Sequence, residues 1–260
     1  MNKKIENFTI PFDELGITDQ ISIPNSDKTP RVLDQGHHIK DLDGDGDSDL
    51  VLIFGVFPES VMKVYPLIYE NKGDGTLEKV EIKNQKNLSE GYGEVGFGDF
   101  NLDGKLDVVI GSLGYDADPW GGMQPILYLS NEDGSYTDST DLFPQEKMFM
   151  HSLSVGDVNN DGYDDIFFGN VIRYSLPTLL INEGGESFKK AELPEGIFDF
   201  TFYTTPDKPI SEGGIRIHNN NYLSSNLVDI DNDNILELVL PFFSQYNDNG
   251  GVHKFETSFI

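Results

Sequence analysis

A nine-residue acidic string occurs four times in this chain of 260 residues, and it constrains the fold more than any other feature of the sequence. Each copy has Asp at position 1, Asp or Asn at position 3, Asp at position 5 and a carboxylate at position 9. The copies, named loops 1 to 4, are Asp41–Asp49, Asp99–Asp107, Asp157–Asp165 and Asp229–Glu237. Their first residues lie 58, 58 and 72 residues apart. A fixed period is the signature of a repeat architecture, so we expect one structural unit around each copy.

Short apolar runs follow each loop in the same order. After loop 1 come Leu50–Phe54, then Pro66–Tyr69, then the turn string Asn71–Gly75 and a last run at Thr76–Val80. These runs have the length and residue types of β-strands, and the Gly- and Asn-rich strings between them are typical of hairpin turns. The second and third units repeat this order. The sequence therefore predicts an all-β fold, a β-propeller of four-stranded antiparallel blades with four blades visible.

The period also predicts the domain organisation. We expect blades at about 33–84, 91–142, 148–192 and 221–260, with an insertion at 195–222 and an N-terminal segment at 1–32. Two arrangements fit this count: the N-terminal segment closes a four-bladed ring with one strand, or the four blades are part of a larger propeller. The second arrangement is favoured, because the fourth unit lacks a fourth strand in this sequence.

The residue types of the loops suit a hard cation. Oxygens at positions 1, 3 and 5 of a tight loop can converge on one ion, Gly at position 6 permits the sharp turn, and a backbone carbonyl at position 7 and the position 9 carboxylate complete the shell. A shell made only of oxygen, with several negative charges, selects Ca²⁺. An EF-hand is excluded, since the flanks are strands and position 12 is apolar in the first three copies. Loop 4 matches less well, because Asn234 replaces Gly and Glu237 replaces Asp.

The strings that begin at Asp41, Asp99 and Asp157 resemble the FG-GAP or VCBS repeats of integrin-α-like β-propellers, and the resemblance covers residues 33–260. It implies a calcium-binding propeller in which each loop joins the first and second strands of a blade. It also implies three calcium sites and a fourth, weaker one. The implied ligands, with position 7 contributing its carbonyl, are Asp41, Asp43, Asp45, Asp47 and Asp49; Asp99, Asn101, Asp103, Lys105 and Asp107; Asp157, Asn159, Asp161, Tyr163 and Asp165; and Asp229, Asp231, Asp233, Ile235 and Glu237.

The loops between the second and third strands are expected on the opposite face of the propeller. They carry aromatic residues beside polar ones, a combination that suits stacking on sugar rings or anchoring a protein interface. The candidate ligand-binding residues are Tyr115, Trp120, Arg173, Tyr174 and Tyr246.

Composition excludes several classes of function. A formal charge of −27 disfavours nucleic acid and anionic membranes as partners. Cysteine is absent, which removes thiolate metal sites and cysteine nucleophiles. No apolar run is long enough for a membrane helix, so direct membrane insertion is not expected. Met1–Lys4 resembles the start of a signal peptide, but no apolar segment follows, and no export signal is visible.

No catalytic motif is found, so we predict a protein that is not an enzyme. The interpretation we favour is a calcium-stabilised adhesion or ligand-binding propeller for glycan or protein partners, located outside the cell or on its surface. The alternative is a self-associating structural subunit of a surface layer, filament or virion. A third interpretation, supported by less of the sequence, is the propeller domain of a polysaccharide lyase or phospholipase-like enzyme, with His37, His151 and Arg173 as a charged cluster.

Overall fold

The computed structural model describes residues 31–57, 64–89, 93–114, 121–170, 177–193, 224–244 and 254–258. These ranges contain β-strands and a short 3-10 helix at Thr140–Leu142, and no α-helix lies within them. The strands are β1 Arg31–Lys40, β2 Asp49–Phe57, β3 Leu67–Asn71, β4 Leu77–Lys79, β5 Ile82–Lys83, β6 Gly93–Gly98, β7 Asp107–Ser112, β8 Ile126–Ser130, β9 Tyr136–Asp138, β10 Met150–Gly156, β11 Asp165–Asn170, β12 Thr178–Asn182, β13 Phe188–Lys190, β14 Asn226–Val228, β15 Glu237–Ser244 and β16 Lys254–Ser258. Among the described residues, no helix has the length and apolar character needed to cross a membrane.

The strands form four sheets in chain order, as the repeat period predicts. The first sheet has the order β1-β2-β3-β4, the third β10-β11-β12-β13, and the fourth β14-β15-β16 in the part of the chain that is described. Neighbouring strands in these sheets are antiparallel. The prediction of an all-β fold built from four-stranded antiparallel sheets, consistent with propeller blades, is confirmed.

The second sheet has a fifth strand that the repeat pattern does not predict. Its order is β5-β9-β8-β7-β6, and β5 pairs in parallel with β9, with Ile82 opposite Tyr136. The chain thus leaves the first sheet at β4 and adds β5 to the outer edge of the second before β6 begins. This pairing joins two successive units through backbone hydrogen bonds, because the chain that leaves the first sheet pairs with the edge of the second.

Successive sheets pack face to face through their apolar side chains. The first strands lie next to one another, with β1 in contact with β6, β6 with β10, and β10 with β14. Between the first and second sheets, the core includes Ile53, Val108 and Tyr128; between the second and third, it includes Val109 and Phe168. These side chains are at most 1% exposed, and their burial supplies most of the stability of an assembly of this kind.

Two glycines allow the second and third sheets to approach closely. A Cβ atom at Gly96 would overlap the side chains of Leu153 and Val155 on β10, and one at Gly98 would lie 2.9 Å from a methyl group of Val155. Any larger residue on this face of β6 would therefore force the two sheets apart. The predicted unit boundaries stay predictions. The N-terminal segment up to residue 30 and all of the insertion at 195–222 lie outside the described residues.

Candidate metal centre

Each acidic loop joins the first and second strands of its sheet. Loop 1 lies between β1 and β2, loop 2 between β6 and β7, loop 3 between β10 and β11, and loop 4 between β14 and β15. The four loops are therefore found at equivalent positions in the repeat, as the resemblance implies. Most of their residues at positions 3 to 6 are exposed to solvent, so the side-chain oxygens there are accessible to an ion.

The loop backbone adopts a left-handed conformation at positions 4 and 6. Position 6 has φ between 68° and 95° in all four loops, at Gly46, Gly104, Gly162 and Asn234. This confirms the expected turn, and it shows that Asn234 adopts the conformation in which Asn is tolerated. Position 4 is also left-handed, which the sequence did not indicate. In loop 2 it is Leu102, with φ of 57°, a conformation that bulky residues rarely adopt.

A common set of hydrogen bonds fixes the acidic side chains. In every loop the position 1 carboxylate accepts a hydrogen bond from the position 6 amide, at 3.1, 2.9, 2.8 and 2.9 Å in loops 1 to 4. The position 5 carboxylate likewise accepts the position 7 amide in all four. These hydrogen bonds form within each loop, so they fix the position 1 and position 5 carboxylates without contacts from other strands or loops.

Side-chain oxygens of three positions come close together in loops 1 and 4. In loop 1 these are positions 1, 3 and 5, where one oxygen each of Asp41, Asp43 and Asp45 lies within 4.8 Å of the others. In loop 4 they are positions 1, 3 and 9, Asp229, Asp231 and Glu237. In loops 2 and 3, where position 3 is Asn, the side-chain oxygens of positions 1 and 3 both accept the position 5 amide. This donor set, made of oxygen alone and rich in charge, fits a hard divalent cation such as Ca²⁺.

The position 9 carboxylate has a second role that spacing alone does not reveal. Asp107 is fully buried, and its two oxygens accept the amides of Phe100 at 2.9 Å and Ser130 at 2.8 Å. Asp165 does the same with Val158 at 3.0 Å and Asn182 at 2.8 Å. Asp49 repeats the arrangement with the amides of Leu42 and Asn71, at 2.7 and 2.9 Å. Position 9 thus ties its loop to the end of the third strand of the same sheet.

Burial changes the acidity of these groups. Desolvation raises the pKa of Asp107 and of Asp165 to about 6, although the backbone amides that each accepts favour the charged form. The same cause raises the pKa of Asp49. Carboxylates of the same loop, such as Asp103 beside Asp107, add to the effect because like charges disfavour ionisation. A bound cation would offset the repulsion between these carboxylates.

We expect calcium affinity to fall as pH drops through about 6. The folded-state pKa of Asp107 and Asp165 is raised to about 6, so below that pH a cation must displace a proton from each. One pH unit below the pKa, each of the two sites should bind about tenfold more weakly. Calorimetric titration with CaCl₂ at about pH 5 and about pH 7.5, in buffers of different ionisation enthalpy, measures both the affinity and the protons released. Equal affinity at the two pH values, with no proton release, would contradict this expectation.

Loops 2 and 3 are linked to each other directly. The carboxylate of Asp164, at position 8 of loop 3, accepts the backbone amide of Asp99 at 3.2 Å. The side chain of Asn182, at the end of β12, donates to the carbonyl of Phe100 at 2.8 Å. Asn182 is 1% exposed, and Asp164 is half-buried with a pKa raised by desolvation. The third sheet therefore holds the start of loop 2 in place.

The predicted ligand-binding face lies in a part of the chain that the structure does not describe. Its candidate residues, Tyr115, Trp120, Arg173, Tyr174 and Tyr246, all lie outside the described residues. They stay predictions. The position 7 carbonyls of Asp47, Lys105, Tyr163 and Ile235 also stay predicted ligands, although the amides of the same residues take part in the hydrogen bonds of the loops.

Comparison with known families agrees with this geometry. The FG-GAP-like repeat matches residues 41–110, and the FG-GAP repeat matches residues 149–170. The first match spans loops 1 and 2, and the second contains loop 3. The chain contains FG-GAP repeats. Each match contains at least one acidic loop together with residues of the strand that follows it.

Two known proteins are similar to this FG-GAP repeat protein. Cartilage acidic protein 1 of Xenopus tropicalis is 29% identical over 110 residues, which cover 40% of this chain and 16% of that protein. Among solved structures, a Bacillus licheniformis rhamnogalacturonan lyase is 17% identical, covers 80% of this chain and 40% of its own, and has a TM-score of 0.41. The matched regions span 16% of the first protein and 40% of the second, less than half of either.

Proposed function

We propose that this chain is a non-enzymatic, calcium-stabilised ligand-binding module that acts outside the cell. The observation that carries the proposal is the repetition of one loop geometry four times, with oxygen donors alone and the same hydrogen bonds at positions 1, 5 and 9. Four equivalent metal sites would stabilise the scaffold, whereas catalysis needs one distinct constellation of residues. The scaffold then presents the loops at its other face to a glycan or protein partner.

The extracellular location rests on two arguments. Surface-exposed calcium loops of moderate charge commonly bind in the range of about 10⁻⁴–10⁻³ M, and calcium reaches that concentration outside the cell. In addition, part of the chain is similar to a protein named for cartilage, a tissue rich in extracellular matrix. A net charge of −27 would be reduced by bound calcium, and the remaining negative charge favours neutral or basic partners over sulfated or phosphorylated ones.

Trp120→Ala tests the ligand face of the proposal. We expect the variant to retain glycans or extracellular matrix proteins on an array about five- to thirtyfold more weakly, because one aromatic anchor contributes about 1–2 kcal/mol. The calcium-dependent melting temperature should stay nearly unchanged. The array is probed with the wild-type chain in calcium and in chelator as well, and retention is expected in calcium only.

Two results would count against the proposal. If Trp120→Ala lowers the melting temperature and spares retention, the ring belongs to the core and the binding face lies elsewhere. If neither glycans nor proteins are retained and the chain instead forms large regular assemblies on size-exclusion chromatography, it is a self-associating structural subunit.

A further inference from the structure

A cleft opens between the first and second sheets, beside loop 1. Its volume is about 450 Å³, within the range of sites that bind small molecules or single side chains. One wall is apolar and is formed by Leu42, Ile68, Val80 and the ring of Tyr136. Three of these residues are well packed, with exposed fractions of 8% for Leu42, 1% for Ile68 and 5% for Tyr136. Core packing therefore holds this wall of the cleft in place.

Carboxylates dominate the polar lining of the cleft. Five acidic side chains and two lysines line it, which gives the lining a net charge of −3; the acidic ones are Asp43, Asp49, Glu70, Glu132 and Asp133. The lysine ammonium groups are held by protein acceptors. Lys72 pairs with Glu70 at 2.5 Å and Glu78 at 3.3 Å, and Lys105 donates to the carbonyl of Asn131 at 2.8 Å. Asp133 pairs with Lys83 at 2.7 Å, and both oxygens of Asp49 accept backbone amides, so Asp43 and Glu132 are the carboxylates that present negative charge to a ligand.

The gap between the second and third sheets differs from this one. Between the second and third sheets, the Asn182 side chain bonds to Phe100, and the rings of Phe100 and Phe188 pack edge to face at 5.9 Å. The equivalent residue of the second sheet is Ser130, since its amide bonds to Asp107 as the amide of Asn182 bonds to Asp165. Serine lacks the side-chain amide with which Asn182 reaches Phe100. The contact that closes one gap is therefore absent from the other.

We propose that this cleft binds the side chain of an arginine or lysine from a protein partner. The aliphatic stem of such a side chain would cover the apolar wall, as long basic side chains do elsewhere. Its charged end would donate charge-assisted hydrogen bonds to the carboxylates of Asp43 and Glu132. The proposal rests on the ligand-binding function in general and requires no residue of the aromatic face. Asp43 is also a predicted ligand of the loop 1 cation, so calcium in that loop should compete with the basic side chain for its carboxylate.

The test uses N-acetyl-arginine amide and its uncharged analogue, N-acetyl-citrulline amide, titrated by NMR against the chain. We expect chemical-shift changes at Leu42, Val80 and Tyr136 with the arginine probe, and affinity at least about tenfold weaker for the citrulline probe. Glu132→Lys should weaken arginine binding at least about tenfold as well. Glu183→Lys is the matched control, because it follows Asn182 in the equivalent hairpin turn, changes net charge equally and lies beside the closed gap.

Three outcomes would overturn the proposal. Equal binding of both probes would show that charge is not recognised, and equal weakening by Glu132→Lys and Glu183→Lys would show that only the overall charge attracts the ligand. Binding of a neutral sugar such as lactose at the same residues, without the arginine probe, would assign the cleft to glycans. The titration is performed in calcium and in chelator, so a failure of the calcium proposal would appear separately, in the melting experiments.

Discussion

Chelation will lower the melting temperature of this chain by more than about 10 °C. If free calcium is about tenfold above a dissociation constant near 10⁻⁴ M, each site adds about 1.4 kcal/mol to the free energy of unfolding, or about 5 kcal/mol for four sites. For a chain of this size, about 1 kcal/mol corresponds to 2–4 °C. Removing the ions also restores repulsion between carboxylates such as Asp41, Asp43 and Asp45, whose oxygens lie within 4.8 Å of one another. Differential scanning calorimetry in EDTA and in CaCl₂ measures the difference.

The control is the identity of the cation. Calcium added back after chelation should restore the melting temperature, and Mg²⁺ at the same concentration should restore less, since Mg²⁺ gives up its waters reluctantly. Sodium chloride at matched ionic strength separates screening of the acidic surface from binding. A melt that is the same in EDTA and in calcium would contradict the metal assignment of the loops.

Asp107→Ala will destabilise the chain by about 2–4 kcal/mol even in chelator. The substitution leaves the buried amides of Phe100 and Ser130 without their acceptor, and each unsatisfied amide costs about 1–3 kcal/mol. Asp103→Ala, in the same loop, removes an exposed carboxylate that accepts the amide of Lys105, and in chelator it should cost less than about 1 kcal/mol. Urea denaturation in EDTA measures both values.

The same pair of variants separates the two roles of the loop in calcium. There, Asp103→Ala should lose about as much of the calcium stabilisation as Asp107→Ala, because either substitution removes one predicted ligand of the same site. Asp107→Asn keeps the side-chain volume and one acceptor oxygen, and it should fall between wild type and Asp107→Ala. If Asp107→Ala and Asp103→Ala are equally destabilised in chelator, position 9 has no structural role beyond ion binding.

Local features of these repeats can be predicted from the sequence because short-range interactions determine them. The turn at position 6 requires a residue that tolerates positive φ, so Gly46, Gly104 and Gly162 mark it directly. The strand positions follow from the apolar runs. In the first unit the strand bounds differ from the expected ones by one to three residues, since β2 extends to Phe57 where the expected run ends at Phe54. Loop 4 was expected to be the poorest match, yet the longer side chain of Glu237 brings its carboxylate within 4.8 Å of the carboxylates of Asp229 and Asp231.

Features that join distant parts of the chain could not be predicted in this way. The bond between Asp107 and the amide of Ser130 spans 23 residues, and the bond between Asn182 and Phe100 spans 82. Nothing in the local pattern marks which Asp is buried or which Asn reaches the next sheet. The parallel pairing of β5 with β9 is of the same kind, since a strand of two residues carries no periodic signal.

The count of bound ions is the most direct test of the account. Equilibrium dialysis against millimolar calcium, followed by elemental analysis, should find four Ca²⁺ per chain, and the variant Asp41→Asn/Asp43→Asn/Asp45→Asn should bind one fewer while its fold is retained. This variant removes only the side-chain charges that loop 1 brings together. A chain that binds fewer than one Ca²⁺, or a variant that binds as many ions as wild type, would contradict the account.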